Sequence, residues 1–346
     1  MQDKDVIDRI SALTHASLAE NMPFRLFRRA SIRRRAEQGH NIGFDAPVPF
    51  FPSIPDAEAW RDVTFLVHDP NYIGHYFHFI EIFLALHAFH RTYLPDAAVG
   101  RIVFTSRNWT NPAQNNIQQE LLSAIYPNAE VMTPADMTDV DLTNVVLIDR
   151  TLAMTRINKF LEPVLPIAGA WTGGLADVLF RHVAALPKPP PAPGENRRAL
   201  YVKRKPPRCL SDPLEAELLR ALKEGGIQVD VVDYAELPWH EQVRRTAGYD
   251  LLVGVHGNGM TNLLWLPPHG AVLEIFPAGA HHYDYQILAE LKGHAYFGVE
   301  GRPDGFVFRE HSRHGDAFGH GADNNKEIAE ISWSAVARFI DAAHGQ

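Results

Sequence analysis

Short apolar runs alternate with amphipathic segments along most of this chain. In the first half, the apolar runs Val63–Asp69 and Arg101–Ser106 flank a long helical pattern at Ile73–Tyr93. In the second half, the runs Leu251–Val255 and Ala271–Phe276 alternate with helical patterns in the same way. Continuous apolar runs are typical of parallel strands buried on both faces. The pattern therefore predicts an α/β fold with parallel sheets covered by helices.

One segment interrupts this alternation near the middle of the chain. LPKPPPAPGE has five prolines in ten residues, which no helix or central strand tolerates and which suits a stiff linker. We therefore predict two Rossmann-like domains that face a cleft. The predicted parts are an N-terminal segment (1–45), a first domain (46–186), a linker (187–195), a second domain (196–330) and a C-terminal helix that packs back on the body (331–346).

The N-terminal segment contains the arginine-rich stretch RLFRRASIRRRAEQ, in which Arg25–Arg35 alternate with apolar residues. The pattern predicts a basic amphipathic helix. Such a helix can lie on an anionic membrane surface, which would make the protein peripheral at the inner membrane face. A solvated helix or an oligomer contact is the other interpretation, and we favour it because short cationic helices are common.

Composition narrows the functional classes. The formal net charge of -8 argues against a general nucleic-acid binder. The single cysteine cannot form an internal disulfide, and the chain shows neither a signal-peptide pattern nor an apolar run of about 18 residues. We therefore expect a cytoplasmic enzyme of 346 residues.

The stretch LLVGVHGNGMTNLLWLPPHGAVLEIFP, Leu251–Pro277, joins two apolar strands through a glycine-containing turn and a short helix. Ligands of open parallel sheets bind beyond the carboxyl ends of the strands. Gly257 and Gly259 allow close backbone approach, and a helix that begins near Thr261 or Asn262 offers N–H groups to a diphosphate. The residue types therefore suit a nucleotide.

Other interpretations of this loop remain. Glu274, at the end of the next strand, suits ribose hydroxyls. A dinucleotide fingerprint would need a third glycine where Asn262 stands, which counts against an NAD-dependent oxidoreductase. From spacing alone, His256 is as readily a packed histidine as a functional one.

The whole string resembles the signature of glycosyltransferase family 61, in which His-Gly-Ala-Gly-Leu-Thr-Asn is followed by an apolar helix, Pro-Pro-Gly and an apolar strand ending in Glu. Asn258 and Met260 replace the usual Ala and Leu, and His269 interrupts Pro-Pro-Gly. The matching residues are His256, Gly257, Gly259, Thr261, Asn262, Pro267, Pro268, Gly270, Glu274 and Pro277.

Two further segments resemble the same family. LYVKRKPPRCLSD is similar to the family's strand followed by Arg-x-x-x-Arg-x-Leu-x-Asn, with Asp212 where Asn is usual. NYIGHYFHFIEIF is similar to its Asn-x-x-His-x-x-His-Asp helix start, with Glu81 at the acidic position. The other matching residues are Arg204, Arg208, Leu210, Asn71, His75 and His78.

The resemblance implies an inverting glycosyltransferase with two facing Rossmann-like domains, the GT-B arrangement. It implies a nucleotide-diphosphate sugar as donor, with a UDP-sugar favoured, and a glycan or lipid-linked acceptor in polysaccharide biosynthesis. Arg204 and Arg208 suit the charge that develops on the leaving diphosphate, although arginines at this spacing also pair with surface carboxylates. The predicted donor-binding residues are Arg204, Arg208, His256, Gly257, Asn258, Gly259, Thr261, Asn262 and Glu274.

A direct displacement also needs a general base. His75, His78 and Glu81 are spaced three apart on an otherwise apolar helix, so these polar groups need a partner or a purpose. We predict His78 as the base, with His75 orienting the substrate and Glu81 as the rival base.

No metal cofactor is predicted, because the 18 histidines include no His-Glu-x-x-His pattern. Asp139-Val-Asp141 has the Asp-x-Asp form of metal-dependent sugar transferases but not their context. Two alternatives to a transferase stay open: a nucleotide-sugar epimerase with the same architecture, and a non-catalytic protein that binds nucleotide sugars or polysaccharides.

Overall fold

The chain forms two compact units, Met1–Leu175 and Ala176–Gln346. The structure, a computed structural model, describes residues 24–35, 39–48, 53–68, 73–105, 117–133, 136, 139–149, 175–190, 192, 195–280, 284–303, 306–307 and 325–345. Each unit has an α/β fold built on its own sheet, which contains both parallel and antiparallel strand pairs.

The first unit contains a seven-stranded sheet. Its strands are β1 (Phe24–Arg35), β2 (Gly39–Phe44), β3 (Pro47–Val48), β4 (Asp62–His68), β5 (Ala98–Phe104), β6 (Glu130–Met132) and β7 (Val140–Asp149). The order is β2-β1-β7-β4-β5-β6, with β3 also paired to β1. Strands β7, β4, β5 and β6 are parallel, which gives the order found in dinucleotide-binding halves of Rossmann folds.

Two helices connect the parallel strands of the first unit, α1 (Tyr76–Tyr93) after β4 and α2 (Ile117–Ile125) after β5. Most side chains of α1 are buried, because it packs its apolar length against the unit. None of the helices within the described residues combines the length and apolarity that a membrane crossing requires.

The arginine-rich stretch is a strand, so the predicted amphipathic helix is wrong. Strand β1 pairs antiparallel with both β2 and β7, and it belongs to the sheet of the first unit rather than to a separate segment 1–45. Its arginines do not share one face, since Arg28 lies 4.8 Å from the centre of the Trp60 ring and Arg33 pairs with Asp141. Pairing on both edges satisfies the backbone of the strand, and its place inside the sheet buries apolar residues that a lone solvated helix would leave exposed. The buried residues of β1 are Phe24, Leu26, Phe27, Ala30 and Ile32.

The second unit contains a six-stranded sheet of order β13-β12-β11-β10-β8-β9. Its strands are β8 (Arg198–Val202), β9 (Gln228–Val232), β10 (Leu251–Val255), β11 (Ala271–Phe276), β12 (Ala295–Glu300) and β13 (Phe306–Val307). All pairs except β12 with β13 are parallel, so the parallel strands follow the doubly wound order 2-1-3-4-5.

Helices cover this second sheet. They are α3 (Asp212–Glu224), α4 (Trp239–Ala247), α5 (Asp284–Lys292), α6 (Trp333–Gly345) and a 3-10 helix at Asn258–Trp265. The C-terminal helix α6 buries Val336 and Phe339 in the same core as Leu273 of β11. The Arg197 Nε atom donates a hydrogen bond of 2.8 Å to the carbonyl of Ala343, which ties the end of α6 to the start of β8.

The described residues of the proline-rich segment, which is predicted as a stiff linker, contact the second unit. The division between the units falls at Leu175, before this segment. The Lys188 backbone N–H donates to the carbonyl of Ala247 at 2.8 Å, and its ammonium group lies 2.7 Å from the carboxylate of Asp250. The segment is therefore packed on the second unit, because a buried carboxylate requires the cation that Lys188 supplies.

Candidate functional site

The topology of the second unit creates a crevice between β8 and β10. The chain leaves β8 towards β9 at one end of the sheet and later returns to β10 on the other side of β8. Doubly wound sheets bind ligands where the strand order reverses, beyond the carboxyl ends of the strands. Arg204 follows β8 and His256 follows β10, so both residues lie at this crevice.

Arg204 bridges the two sides of the crevice. Its Nη1 atom donates a hydrogen bond to the backbone carbonyl of His256. Burial and then the charge of nearby Arg208 lower the pKa of the Arg204 guanidinium. No carboxylate of the described residues forms an ion pair with Arg204, whereas Arg208 donates to the Asn325 side chain at 3.0 Å. The crevice therefore holds two cations beside the end of a parallel sheet, which suits an anion with several oxygens.

Two glycines shape the loop after β10. Gly257 has a φ of 147° and a ψ of 179°, a conformation that essentially only glycine adopts, and a Cβ there would collide with the Arg204 guanidinium. A Cβ at Gly259 would lie 2.8 Å from Val202. Asn258 and Gly259 are half-buried, so they are the parts of the loop that a ligand can reach.

Thr261 and Asn262 are buried within the 3-10 helix that follows. The Asn262 Nδ2 atom donates to Gln242 Oε1 at 3.1 Å and to the carbonyl of Gly259 at 3.2 Å. Asn262 therefore connects the loop to α4. Burial of both residues and the contacts of Asn262 show that they support the loop from the interior, and their contact with a ligand stays a prediction.

His256 and Glu274 form a buried pair. The His256 Nδ1 atom lies 2.6 Å from Glu274 Oε1, and the other carboxyl oxygen accepts a hydrogen bond of 2.6 Å from the Tyr296 hydroxyl. The Glu274 side chain is 0% exposed. The structure thus brings Glu274 to His256, and the predicted ribose contact would need a carboxylate that these partners already occupy.

Burial determines the protonation of this pair. It raises the pKa of the Glu274 carboxyl well above its ordinary value, while the hydrogen bond from Tyr296 acts weakly in the opposite direction. Burial also lowers the pKa of His256 to about 4, and the charges of Arg208 and Arg204 act in the same direction. Nearby Asp284 opposes this shift. Burial therefore favours the neutral form of both groups.

The first unit has a corresponding crevice between β4 and β7, where its strand order reverses. Helix α1 follows β4, so its first turn lies at this carboxyl edge. His75 is the residue that precedes the helix, and its ring lies 4.8 Å from that of His78. The structure thus places the predicted histidines at the carboxyl edge of the parallel strands, and their contact with a ligand stays a prediction.

His78 and Glu81 form a second histidine–carboxylate pair. The His78 Nδ1 atom lies 2.9 Å from Glu81 Oε2. The Glu81 side chain is 3% exposed and that of His78 is 17% exposed. A ligand can therefore reach His78 more readily than Glu81, and Glu81 can orient the ring and stabilise its charged form.

Sequence reasoning missed polar residues at both crevices. His68 ends β4, and its Nδ1 atom lies 2.8 Å from Thr105 Oγ1 at the end of β5. Gln118 of α2 donates to the carbonyl of Gly74, just before α1. In the second unit, Tyr296 supports Glu274. His68 could have been found from the sequence, because it is a polar residue at the end of an apolar strand. No local sequence signal distinguished Tyr296.

Within the described residues, no group of three or more His, Cys, Asp or Glu side chains is arranged to hold a metal ion. The predicted independence from metal stays a prediction. Asp141 of the Asp-x-Asp sequence pairs with Arg33 across the sheet.

Comparison with known proteins identifies a family. The sequence model of the family described as Glycosyltransferase 61 matches residues 48–273, which include parts of both units. This match includes every predicted site residue except Glu274, which follows it directly in β11.

Individual relatives match over shorter stretches. A bovine (Bos taurus) EGF domain-specific O-linked N-acetylglucosamine transferase is 37% identical over 106 residues, 30% of this chain and 20% of the relative. The Drosophila melanogaster protein of the same name is 38% identical over 84 residues, 24% of this chain and 16% of the relative. The alignments thus span about a fifth of the length of these curated relatives.

One solved structure is similar over a longer range. A dodecameric iron-containing heptosyltransferase in complex with ADP-D-beta-D-heptose aligns over 75% of each chain, with 12% identity and a TM-score of 0.32.

Proposed function

The chain belongs to glycosyltransferase family 61, and from this premise we propose that it transfers a sugar from a nucleotide-diphosphate donor to a hydroxyl of a glycan or lipid-linked acceptor, with inversion. The observation that carries the proposal is the position of Arg204. Its guanidinium lies at the switch point between β8 and β10, next to Arg208 and without a carboxylate partner among the described residues.

The second unit is the proposed donor side. Breaking the anomeric bond places negative charge on the leaving diphosphate, and preorganised cations stabilise that charge as it develops. Arg204 and Arg208 supply these cations. Gly257 and Gly259 allow the diphosphate to approach the backbone, and the half-buried Asn258 is available for a polar contact. We favour UDP as the nucleotide.

The first unit is the proposed acceptor side. His78 is held through Nδ1 by Glu81, so Nε2 is the nitrogen that would take the proton from the acceptor hydroxyl. Glu81 then stabilises the imidazolium that forms, and His75, whose ring lies tilted beside that of His78, orients the substrate. Because base and donor must meet, we propose the GT-B arrangement in which the two units face a cleft.

The proposed donor sugar is N-acetylglucosamine. The relatives that match this chain are named for transfer of N-acetylglucosamine. UDP-N-acetylglucosamine is therefore the first donor to test, ahead of other UDP-sugars. The predicted metal independence is tested in the same reactions by comparing chelator with added divalent cations.

The deciding experiment measures UDP release and product formation from UDP-sugars, with and without a panel of glycan and lipid-linked acceptors. Proton NMR of the product reports whether the anomeric configuration is inverted. We expect acceptor-dependent UDP release that His78→Asn abolishes while UDP still binds.

Other outcomes would support the alternatives. An altered nucleotide sugar formed without any acceptor would indicate an epimerase. Nucleotide binding without turnover, unaffected by His78→Asn, would indicate a binding protein. Failure of UDP, GDP and CMP to bind at all would overturn the proposal.

A further inference from the structure

Three side chains from adjacent strands form a buried chain of hydrogen bonds behind the donor-side crevice. Tyr296 of β12 donates to Glu274 of β11, and Glu274 lies against the Nδ1 atom of His256 at the end of β10. Both distances are 2.6 Å. This series of hydrogen bonds therefore leads from the interior of the unit to His256, whose backbone carbonyl binds Arg204.

The geometry locates the carboxyl proton of Glu274 within this series of hydrogen bonds. No lysine or arginine of the described residues pairs with Glu274, and burial without such a partner favours the neutral form of the carboxyl. Tyr296 already donates to Oε2, so the carboxyl hydrogen belongs on Oε1, facing His256.

His256 must then accept that hydrogen at Nδ1. Its ring stacks on Phe276 and lies beside Tyr285, with ring centroids 5.2 Å away in both cases. Among the described residues, charged groups that act on the ring include Arg204 and Arg208 from the segment after β8, and Asp284 from α5. Burial and the two arginines keep the ring neutral, and a neutral ring that accepts at Nδ1 carries its hydrogen on Nε2.

We propose that Glu274 and Tyr296 are positioning residues that hold the hydrogen of His256 on Nε2, so that this nitrogen donates a hydrogen bond to the donor diphosphate. This inference rests on the proposed function. It assigns Glu274 a role behind His256 rather than at the ribose, and it assigns a role to Tyr296.

The arrangement has a consequence for pH dependence. When the Glu274–His256 pair loses the proton that lies between Oε1 and Nδ1, a negative charge appears next to the proposed diphosphate site. The affinity for an anionic ligand then falls. Burial raises the pKa of the Glu274 carboxyl well above its ordinary value, so the affinity of the wild type for UDP should decrease as the pH rises through that raised pKa. Glu274→Gln keeps both hydrogen bonds, since its amide donates to Nδ1 and its carbonyl accepts from Tyr296, and it cannot ionise.

The test combines NMR with calorimetry on the full chain. Histidine side-chain nitrogen spectra, with the His256 signals assigned from their loss in His256→Asn, report which ring nitrogen carries the hydrogen. We expect hydrogen on Nε2 in the wild type and in Glu274→Gln. UDP affinity in that variant should be within about threefold of wild type at about pH 6 and should lack the additional decrease that the wild type shows at higher pH. Tyr296→Phe should mix the two tautomers and weaken UDP binding about fivefold. The control Tyr249→Phe removes a similar hydroxyl–carboxylate bond to Asp230. It should change neither the tautomer of His256 nor the affinity for UDP.

The outcomes separate the two proposals. Hydrogen on Nδ1 in a wild type that binds UDP would overturn this inference and leave the proposed function intact, as would loss of UDP binding in a folded Glu274→Gln variant. The expected tautomer in a wild type that binds none of UDP, GDP and CMP would overturn the proposed function and, with it, the ligand assigned to Nε2.

Discussion

The guanidinium of Arg204 donates a hydrogen bond to the backbone carbonyl of His256, which joins the segments that follow β8 and β10. The space that the guanidinium occupies exists because the next residue, Gly257, has no side chain. The proposed phosphate site thus depends on one glycine as well as on one arginine.

Replacing Gly257 with alanine should displace Arg204. The new Cβ would collide with the guanidinium, so we expect UDP affinity to fall at least about tenfold, the loss typical of one charged hydrogen bond. The control is Gly293→Ala, because Gly293 also has a positive φ (72°) but has no atom within 4 Å of the place that a methyl group would take. That variant should lose about 1 kcal/mol of stability and no affinity. Calorimetry and thermal unfolding measure both, and equal affinity in the two variants would contradict the prediction.

Glu81→Gln should lower kcat with little change in KM. Glu81 binds His78 at Nδ1, so its charge stabilises the imidazolium that forms as the acceptor loses its proton. We expect kcat to fall roughly 10- to 100-fold, and His78→Asn to reduce it by at least about 100-fold. His90→Gln provides the control on the same helix, since His90 binds the carbonyl of Ala97 at the other end. If Glu81→Gln lowers only thermal stability, Glu81 is structural.

His87 should make the first unit sensitive to acid. Burial, followed by the charges of His90 and Arg91, lowers the pKa of His87 from 6.5 to about 4. Below pH 6.5 the unfolded ring therefore takes up a proton that the folded ring does not, and stability is lost as the pH falls from 6.5 to about 4. His87→Leu should remove about 2 kcal/mol of this loss at pH 5 and little at pH 8. Urea unfolding at both pH values measures the difference, and the exposed His182→Gln serves as control.

Asp250→Asn should destabilise the second unit. Asp250 is fully buried and accepts hydrogen bonds from Lys188, the backbone of Arg198 and His269. Removing its charge takes the nearer carboxylate from the Lys188 ammonium, which then faces Glu195 at 3.9 Å, so we expect a loss of about 3 kcal/mol in the free energy of unfolding. The exposed Asp230→Asn should cost less than about 1 kcal/mol. Urea unfolding would contradict the prediction if the two variants were equally stable.

The parallel strands and the family were predictable because their signals are local. Strands buried on both faces are continuous apolar runs, and β10, the loop after it and β11 lie within one short stretch that already resembles family 61. The match to the family confirms that resemblance. Strand β1 was not predictable in this way, because β7, which pairs with one of its edges, lies more than 100 residues away, as the bond between Arg28 and Asn144 shows.

The sequence by itself determined which residues stand at the ends of the strands, including the His-Gly-Asn-Gly loop, the two arginines and the His75–Glu81 helix start. The tertiary structure alone decided which of them touch. Glu274 meets His256 and Tyr296, 18 and 22 residues away along the chain, because β11 lies between β10 and β12 in the sheet. The residue types near Glu274 in the sequence cannot specify these contacts, because strand order depends on how all the helices and strands pack together.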